Sequence, residues 1–406
     1  MRKKLAIIGT GSAGILSICH MLTYLNDYDI YSINDPKIPP LGIGESTNPV
    51  FFSTMWNCLG VTLEDLFSNG YLDASIKYGT LYKNWREEDF LNPLFGEKMH
   101  QAIHFNTHKI KDFAFNILRE KYRGKFFEIQ GTVDSLKNLE NSVQVLIDGK
   151  TNIFEFVIDC RGFPKDNFDD YEFLDMPVNH GLIHNIEGDF SYNTWGYTLH
   201  QATEDGWMFG VPLRTRISYG YLFNDNFTNV DEAKSNFSKV IGVKEDGLQK
   251  IEYKFKSHYV KNFINKRIIK NGNCSVFFEP MFANSLWLYD YNNRLSYSYI
   301  VEEMNSEELN YLFYKKVKTV HDLICYYYKG GSNFNSKFWN YAKTYSECSL
   351  KSSMFVELTN DVFKFMNKTS SKVRNVYEFS PYSIDNLAKL DNFLGYNNWQ
   401  LPTSTE

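Results

Sequence analysis

The chain opens on an apolar run, Leu5-Ala6-Ile7-Ile8, that stops at Gly9 and gives way to helical spacing over residues 13–26. A run this short, bounded by glycine, reads as a strand buried on both faces. Residues 28–33 form a second strand, and residues 51–70 read as helical. Alternation over DASIKYGTLYKNW, residues 73–85, predicts a strand with Ile76, Tyr78, Thr80 and Tyr82 on one face and Ser75, Lys77, Gly79 and Leu81 on the other. Apolar positions at helical spacing follow over residues 104–124, closed by Gly124. Residues 125–133 and 142–147 read as paired strands, and the run at 154–158 as a strand that returns the chain to the first sheet at Asp159-Cys160. Residues 165–270 alternate polar and aromatic positions and read as a β-rich insertion, and residues 272–288 give an apolar strand entering a turn at Glu279-Pro280. From about residue 306 the pattern turns helical, clearest over residues 310–328, with the loop KGGSNFNSKFW at 329–339 as an interruption.

Strand, glycine turn and helix in that order carry chemistry. In GTGSAG, Gly9 permits a tight turn, Gly11 lets the backbone approach a pyrophosphate, and Gly14 lets the helix pack close on the strand. The first-turn N–H groups of the helix, at Ser12 and Ala13, then face the phosphates. The alternative is a purely structural turn. The acid that ordinarily ends the second strand and takes the ribose hydroxyls is displaced, because Asn34 stands there and Asp35 follows. A second glycine pair, Gly42 and Gly44, leads into Glu45, Ser46 and Thr47. It reads either as a backbone loop wrapping the other side of a cofactor or as an ordinary Pro/Gly turn.

Lys77 has unusual neighbours in Gly79 and Leu81. It is either an exposed lysine on an edge strand or a partly buried amine whose pKa falls on desolvation, which makes it available for chemistry. Trp207, Phe209 and Val211 alternate and end at Pro212, giving an aromatic face that serves either as core or as a cofactor wall. Cys160 reads as packed rather than reactive.

Composition then removes several classes. A net charge of -5 over 406 residues advertises no nucleic-acid or membrane-surface partner. No apolar run approaches membrane-spanning length, and the first strand begins at once, so the expectation is a cytoplasmic protein without a leader. The 6 Cys are scattered with no CxxC, which suggests neither a disulfide framework nor a zinc site. An aromatic share of 17% points first to a Phe/Tyr-filled core and second to aromatic-lined pockets.

Taken in order, GTGSAG, GIGEST, a Lys-x-Gly strand leading to Asn84-Trp85, DCRGF, GWMFGVPL and GNCSVFFEP resemble the flavin-dependent halogenases of the tryptophan-halogenase family. YYYKGGSNFNSKFW resembles that family's C-terminal segment, so the resemblance runs from residue 4 to residue 339. It implies an α/β fold: a Rossmann-type FAD-binding domain like that of the single-component flavin monooxygenases, a β-rich substrate insertion and a helical C-terminal part. In those terms residues 1–165 are the FAD-binding part, with 51–100 contributing to the lysine site. Residues 166–270 are the substrate part, 271–300 return to the FAD domain with the halide loop, and 301–406 are the helical part.

The resemblance also implies FAD, supplied as FADH2 by a separate flavin reductase because there is one nucleotide fingerprint, together with a halide (chloride, bromide or iodide) and a small aromatic substrate. Hypohalous acid formed at the flavin would pass through an internal tunnel to the family's catalytic lysine, which falls on Lys77. The family's W-x-W-x-I-P wall, which keeps the organic substrate from the flavin, is Trp207-x-Phe209-x-Val211-Pro212 here.

The departures carry information as well. Where the family reads E-P-L-E-S-T-G-I, this chain reads Glu279-Pro280-Met281-Phe282-Ala283-Asn284-Ser285-Leu286. Phe282 replaces the lysine's glutamate partner and enters the substrate pocket. Asn284-Ser285 replaces the pair whose backbone lines the halide site, and Leu286 is assigned to the cofactor. Gly272-Asn273 replaces a Gly-Asp, with Asn273 left to bond the ribityl chain. These changes argue against free tryptophan, for a phenol or indole, and for bromide or iodide, which are easier to oxidise than chloride. A hydroxylating flavin monooxygenase and a catalytically silent FAD-binding protein share the fold and stay open as alternatives.

Overall fold

Leu5, Ala6, Ile7 and Ile8 are buried because the strand Lys3–Ile8 has a parallel partner on each side, Tyr28–Asn34 and Phe156–Asp159. The structure is a computed structural model that describes residues 2–42, 46–93, 102–191, 195–351 and 391–394. The chain divides into two units: Met1–Ala74, Phe105–Leu174 and Ser257–Val317 form the first, and Ser75–His104, Asp175–Lys256 and Lys318–Glu406 the second.

The first unit is built on a six-stranded sheet in the order Ile264–Asn265, Ile268–Lys270, Phe156–Asp159, Lys3–Ile8, Tyr28–Asn34, Phe126–Gln130, parallel except for its first pair. Covered strands of this kind need continuous apolar runs rather than alternation. The helix Ser12–Tyr24 is buried from Ala13 through Leu22, which explains its lack of a polar face. The helix Thr107–Lys121 is amphipathic: Ile110, Ala114, Phe115 and Leu118 face inward, and Asn106 caps it by accepting from His108 N–H. A three-stranded sheet, Val133–Asn138, Val143–Ile147 and Lys150–Phe154, packs Val143, Val145, Ile147 and Phe154 against Ala6, Ile8, Ile33 and Val157.

The second unit is built on a seven-stranded sheet in the order Ile251–Lys254, His180–Glu187, Arg216–Phe223, Gly206–Pro212, Tyr197–Thr203, Gly79–Lys83, Phe90–Pro93. Its pairs are antiparallel except Tyr197–Thr203 with Gly79–Lys83. On one face Leu182, Leu199, Met208, Tyr221 and Phe223 pack with Ala233 and Phe237 of the helix Val230–Ile241. Asn229 caps that helix in a reciprocal box with Glu232. Trp207, Phe209 and Val211 lie on the opposite face, where Gly220 makes room: a Cβ there would fall 2.1 Å from the Phe209 ring.

Four sequence expectations change. Residues 51–70 form two helices, Pro49–Leu59 and Leu63–Ser68, separated at Gly60 (φ +73°) and restarted by a capping box between Thr62 and Asp65. The partner of Val143–Ile147 is Val133–Asn138, whereas Phe126–Gln130 joins the main sheet beside Tyr28–Asn34. A helix, Asn284–Ile300, follows the Glu279-Pro280 turn where no helix was expected before about residue 306.

The fourth change bears on the site. The strand expected over 73–85 breaks at Tyr78 into Ser75–Lys77 and Gly79–Lys83. Tyr78 is half exposed, its N–H bonds Gly196 O at 2.6 Å, and alternation restarts after it. Leu81 therefore packs with the cluster under the helix Val230–Ile241, while Lys77 acts electrostatically on His104 and His200. Lys77 and Leu81 do not share a face.

Candidate active site

The first unit carries the residues expected from the sequence to bind a nucleotide. Gly9 has φ +98°, and a Cβ on Gly14 would lie 1.9 Å from Gly9 O, so both positions are fixed by backbone contact. A Cβ on Gly11 would meet nothing within 4 Å. Packing within the chain does not demand that glycine, whereas the approach of a pyrophosphate would. No side chain caps the helix Ser12–Tyr24 at Gly11, which is the arrangement an anion at a helix N-terminus requires.

Asn34 ends its strand with its side chain buried. Asp35 is committed elsewhere, accepting from Lys37 N–H at 2.9 Å and Thr132 Oγ1 at 2.7 Å. Gly42 (φ +65°) is held under His108, whose Nε2 would be 2.2 Å from a Cβ. Ser46 and Thr47 are buried, and Gly44 and Glu45 lie outside the described residues.

The turn Gly272–Cys274 is drawn onto the fingerprint helix. A Cβ on Gly272 would come 2.7 Å from Ala13 Cβ, and Asn271 Nδ2 donates to Ser17 Oγ at 3.1 Å. Asn273 Oδ1 accepts from Tyr289 OH at 2.5 Å, so its amide N–H groups are what it has left to offer a ribityl hydroxyl. These features fit FAD. Further along, Ala283 adopts φ +54° as the residue before the helix Asn284–Ile300. Asn284 folds its amide back onto Glu279 O (3.0 Å) and Met281 O (2.9 Å), Ser285 is half-buried, and Leu286 is buried. Glu279 is fully buried, a feature that the reading of Glu279-Pro280 as a plain turn missed. The Phe282 side chain lies outside what the structure describes.

The second unit carries Lys77 and the aromatic wall. Lys77 is 2% exposed, and burial pulls its amine down to about 7. His104 and His200 are buried beside it. Burial, then the Lys77 charge, hold His104 well below the usual imidazole range and His200 at about 3, so both rings are neutral at pH 7. Ser75 Oγ donates to Pro212 O at 2.5 Å and lies 3.2 Å from His104 Nδ1, and His104 Nε2 lies 2.9 Å from Thr198 Oγ1.

The wall residues Trp207, Phe209, Val211 and Pro212 are all buried. Trp207 Nε1 donates to Tyr328 OH at 2.7 Å, and its ring lies 4.9 Å from His200 and 6.3 Å from Phe209. Two further tryptophans hold the strand Tyr197–Thr203: Trp85 Nε1 donates to His200 O at 3.1 Å and Trp339 Nε1 to Thr203 O at 2.7 Å. Trp85 and Trp339 are thus structural clamps on the sheet that bears His200. A pocket of about 220 Å³ between Trp195, Tyr197, Tyr219 and Val240 lies on the helix-covered face and includes none of the site residues.

The sequence reading missed His104, Ser75, Thr198 and His200. Two signals were present: alternation put Ser75 on the face of Lys77, and His104 stands just ahead of Asn106, the helix cap, where periodicity assigned it to the helix itself.

The model of the tryptophan halogenase family matches residues 4–125 and 97–382. Among curated proteins, the tryptophan 6-halogenase ThaL of Streptomyces albogriseolus is 21% identical, covering 70% of this chain and 67% of its own. The tryptophan 7-halogenase RebH of Lentzea aerocolonigenes is 20% identical over the same shares. Among solved structures, a tryptophan halogenase from Shewanella frigidimarina superposes with TM-score 0.79 at 16% identity, covering 100% of this chain and 91% of that one. BrvH, a flavin-dependent halogenase from Brevundimonas, gives TM-score 0.79 at 15% identity over 97% and 90%. At these identities the structural matches establish the fold, including the Rossmann-type FAD-binding part.

Proposed function

The chain belongs to the tryptophan halogenase family, and from that premise we propose that Lys77 is the residue through which it delivers halogen to an electron-rich aromatic ring. The protein is an FADH2-dependent halogenase that uses a halide ion, and enzymes of this kind draw on a flavin reductase for FADH2. Bound reduced FAD, with dioxygen and halide, supplies hypohalous acid. Gly9, Gly11, Ser12, Ala13, Gly14, Asn34, Ser46, Thr47 and Asn273 hold the flavin in the first unit. The backbone N–H groups of Asn284 and Ser285, at the start of a 17-residue helix, hold the halide there.

The observation that carries the proposal is the amine itself. A lysine 2% exposed and titrating near 7 is neutral often enough to act as a nucleophile and charged often enough to donate a proton. As the neutral amine it attacks the halogen of hypohalous acid, forming an N–X bond and releasing water once the proton lost from nitrogen joins the departing hydroxide. As ammonium it holds the acid by a hydrogen bond and donates that proton while the ring attacks halogen directly. Either way the ring carbon gains the halogen and loses its proton. Trp207, Phe209, Val211 and Pro212, all buried along one strand of the second unit, stand where the family carries the wall that keeps organic substrate from the flavin.

The replacement of the family's second glutamate by Phe282 favours a phenol or an indole other than free tryptophan, and bromide or iodide over chloride. The test supplies reduced FAD, each halide in turn and a panel of aromatics that includes tryptophan, read by mass spectrometry. Lys77→Ala is expected to lose ring halogenation by on the order of 10²-fold or more while still oxidising FADH2 in a halide-dependent way. Full product from Lys77→Ala would end the argument for the lysine. Oxygen in place of halogen in the product would establish a hydroxylase.

A further inference from the structure

We propose that His104 is a positioning residue of the lysine site: a neutral imidazole carrying its proton on Nδ1, which ties the Lys77 strand to the Pro212 end of the aromatic wall. The argument starts with Ser75. A hydroxyl has one proton, and Ser75 Oγ spends it on Pro212 O at 2.5 Å, an atom that can only accept. Toward His104 Nδ1, at 3.2 Å, Ser75 must therefore accept, so Nδ1 carries hydrogen. His104 is fully buried beside a second basic group and stays neutral, which leaves Nε2 bare. Thr198 Oγ1, 2.9 Å away, then donates to Nε2. Every step has one direction: Thr198 O–H to Nε2, Nδ1–H to Ser75, Ser75 O–H to the Pro212 carbonyl.

This chain of bonds joins four strands. Ser75 faces His104 across the pair Ser75–Lys77 with Ala102–His104, and lies on the same side of its strand as Lys77, two residues on. Thr198 belongs to the strand that carries His200, and Pro212 ends the strand that carries Trp207 and Phe209. With both nitrogens committed, His104 has no lone pair for a proton from Lys77. It sets where the amine stands relative to the wall and takes no part in proton transfer. His200 differs, since its Nδ1 has no hydrogen-bond partner among the described residues.

The inference rests on Lys77 as the reacting amine, and its tests separate the two claims. The first needs no activity. With ¹⁵N-histidine in the whole protein, and His104→Asn to assign the signal, the His104 ring nitrogens should show the Nδ1–H tautomer at pH 7, and an Nε2–H tautomer would overturn the proposal.

The second reads halogenated product per FADH2 oxidised. His104→Phe removes the donor and should lower that ratio by about tenfold or more, because displacing a reacting group by about 1 Å costs up to ~100-fold. The rate of halide-dependent FADH2 oxidation should stay within about twofold. His104→Asn, whose amide N–H stands where Nδ1–H stood, should restore most of the ratio, while His104→Gln, which reproduces only the Nε2 side, should not. Ser75→Ala should match His104→Phe, and the double variant should be no worse than either.

Equal rescue by Asn and Gln, an unchanged ratio in His104→Phe, or losses that track thermal stability alone would overturn the positioning role. If Lys77→Ala keeps full halogenation, the reading of the lysine fails while the tautomer result stands. If Lys77→Ala loses it and the His104 variants do not, only the positioning claim fails.

Discussion

Replacing Lys77 by Met keeps the length and the apolar stem of the side chain and removes its titration, so the pH dependence of stability isolates the buried amine. The folded chain holds the group at about 7 against an ordinary 10.5. The unfolded chain therefore binds more protons than the folded one between those values, and stability rises with pH across that window. Stability relative to the Met variant is complete above 10.5, is lost as pH falls, and reaches its floor below about 7. The drop from 10.5 to about 7 is worth about 5 kcal/mol in full, at ~1.4 kcal/mol per pH unit. Urea unfolding of the wild-type and Lys77→Met chains should show the Met variant more stable at pH 6. Its advantage should shrink by about 2 kcal/mol between pH 7 and pH 9. The absolute offset also reflects the packing of Met, so the slope is the readout. A difference that stays flat with pH, or widens as pH rises, would refute the buried amine and with it the chemical argument for Lys77.

Two further outcomes follow from contacts in each unit. Gly11→Ala should keep thermal stability, with an effect within about 0.5 kcal/mol, yet weaken flavin binding in a fluorescence titration. Gly14→Ala should lose both, because its Cβ would fall 1.9 Å from Gly9 O. Trp207→Phe and Tyr328→Phe each break the 2.7 Å bond between them and should each cost about 1–3 kcal/mol, read by urea unfolding. The double variant should cost less than the two single costs added, and strict additivity would argue that the bond contributes nothing.

The parts of this protein legible in its sequence are those whose requirements are local. A strand, a turn needing φ +98° at Gly9, and a helix that must touch Gly9 O at Gly14 lie within a dozen residues, so the fingerprint declares itself. The helix Asn284–Ile300 does not, because much of its inner face is polar. Asp290, Asn292, Asn293 and Ser296 are buried there, with Asn292 and Asn293 bonded to Asn271 and Asn293 also to Ser17. A search for apolar periodicity passes over such a face, whose interior is held by hydrogen bonds.

The lysine site fails to show for a different reason. A single half-exposed residue, Tyr78, resets the alternation and so reverses which residues accompany Lys77. The groups that surround it come from far along the chain: Ser75 meets His104 across 29 residues, His104 meets Thr198 across 94, and Ser75 meets Pro212 across 137. No spacing rule links those positions. Composition alone favours an exposed lysine at 77, and only the resemblance of the flanking Gly79 and Asn84-Trp85 singled it out. The strand of the amine, Ser75–Lys77, is paired with Ala102–His104. The chemistry proposed for residue 77 therefore depends on that register, and a change that slips those two strands should abolish it even with the lysine intact.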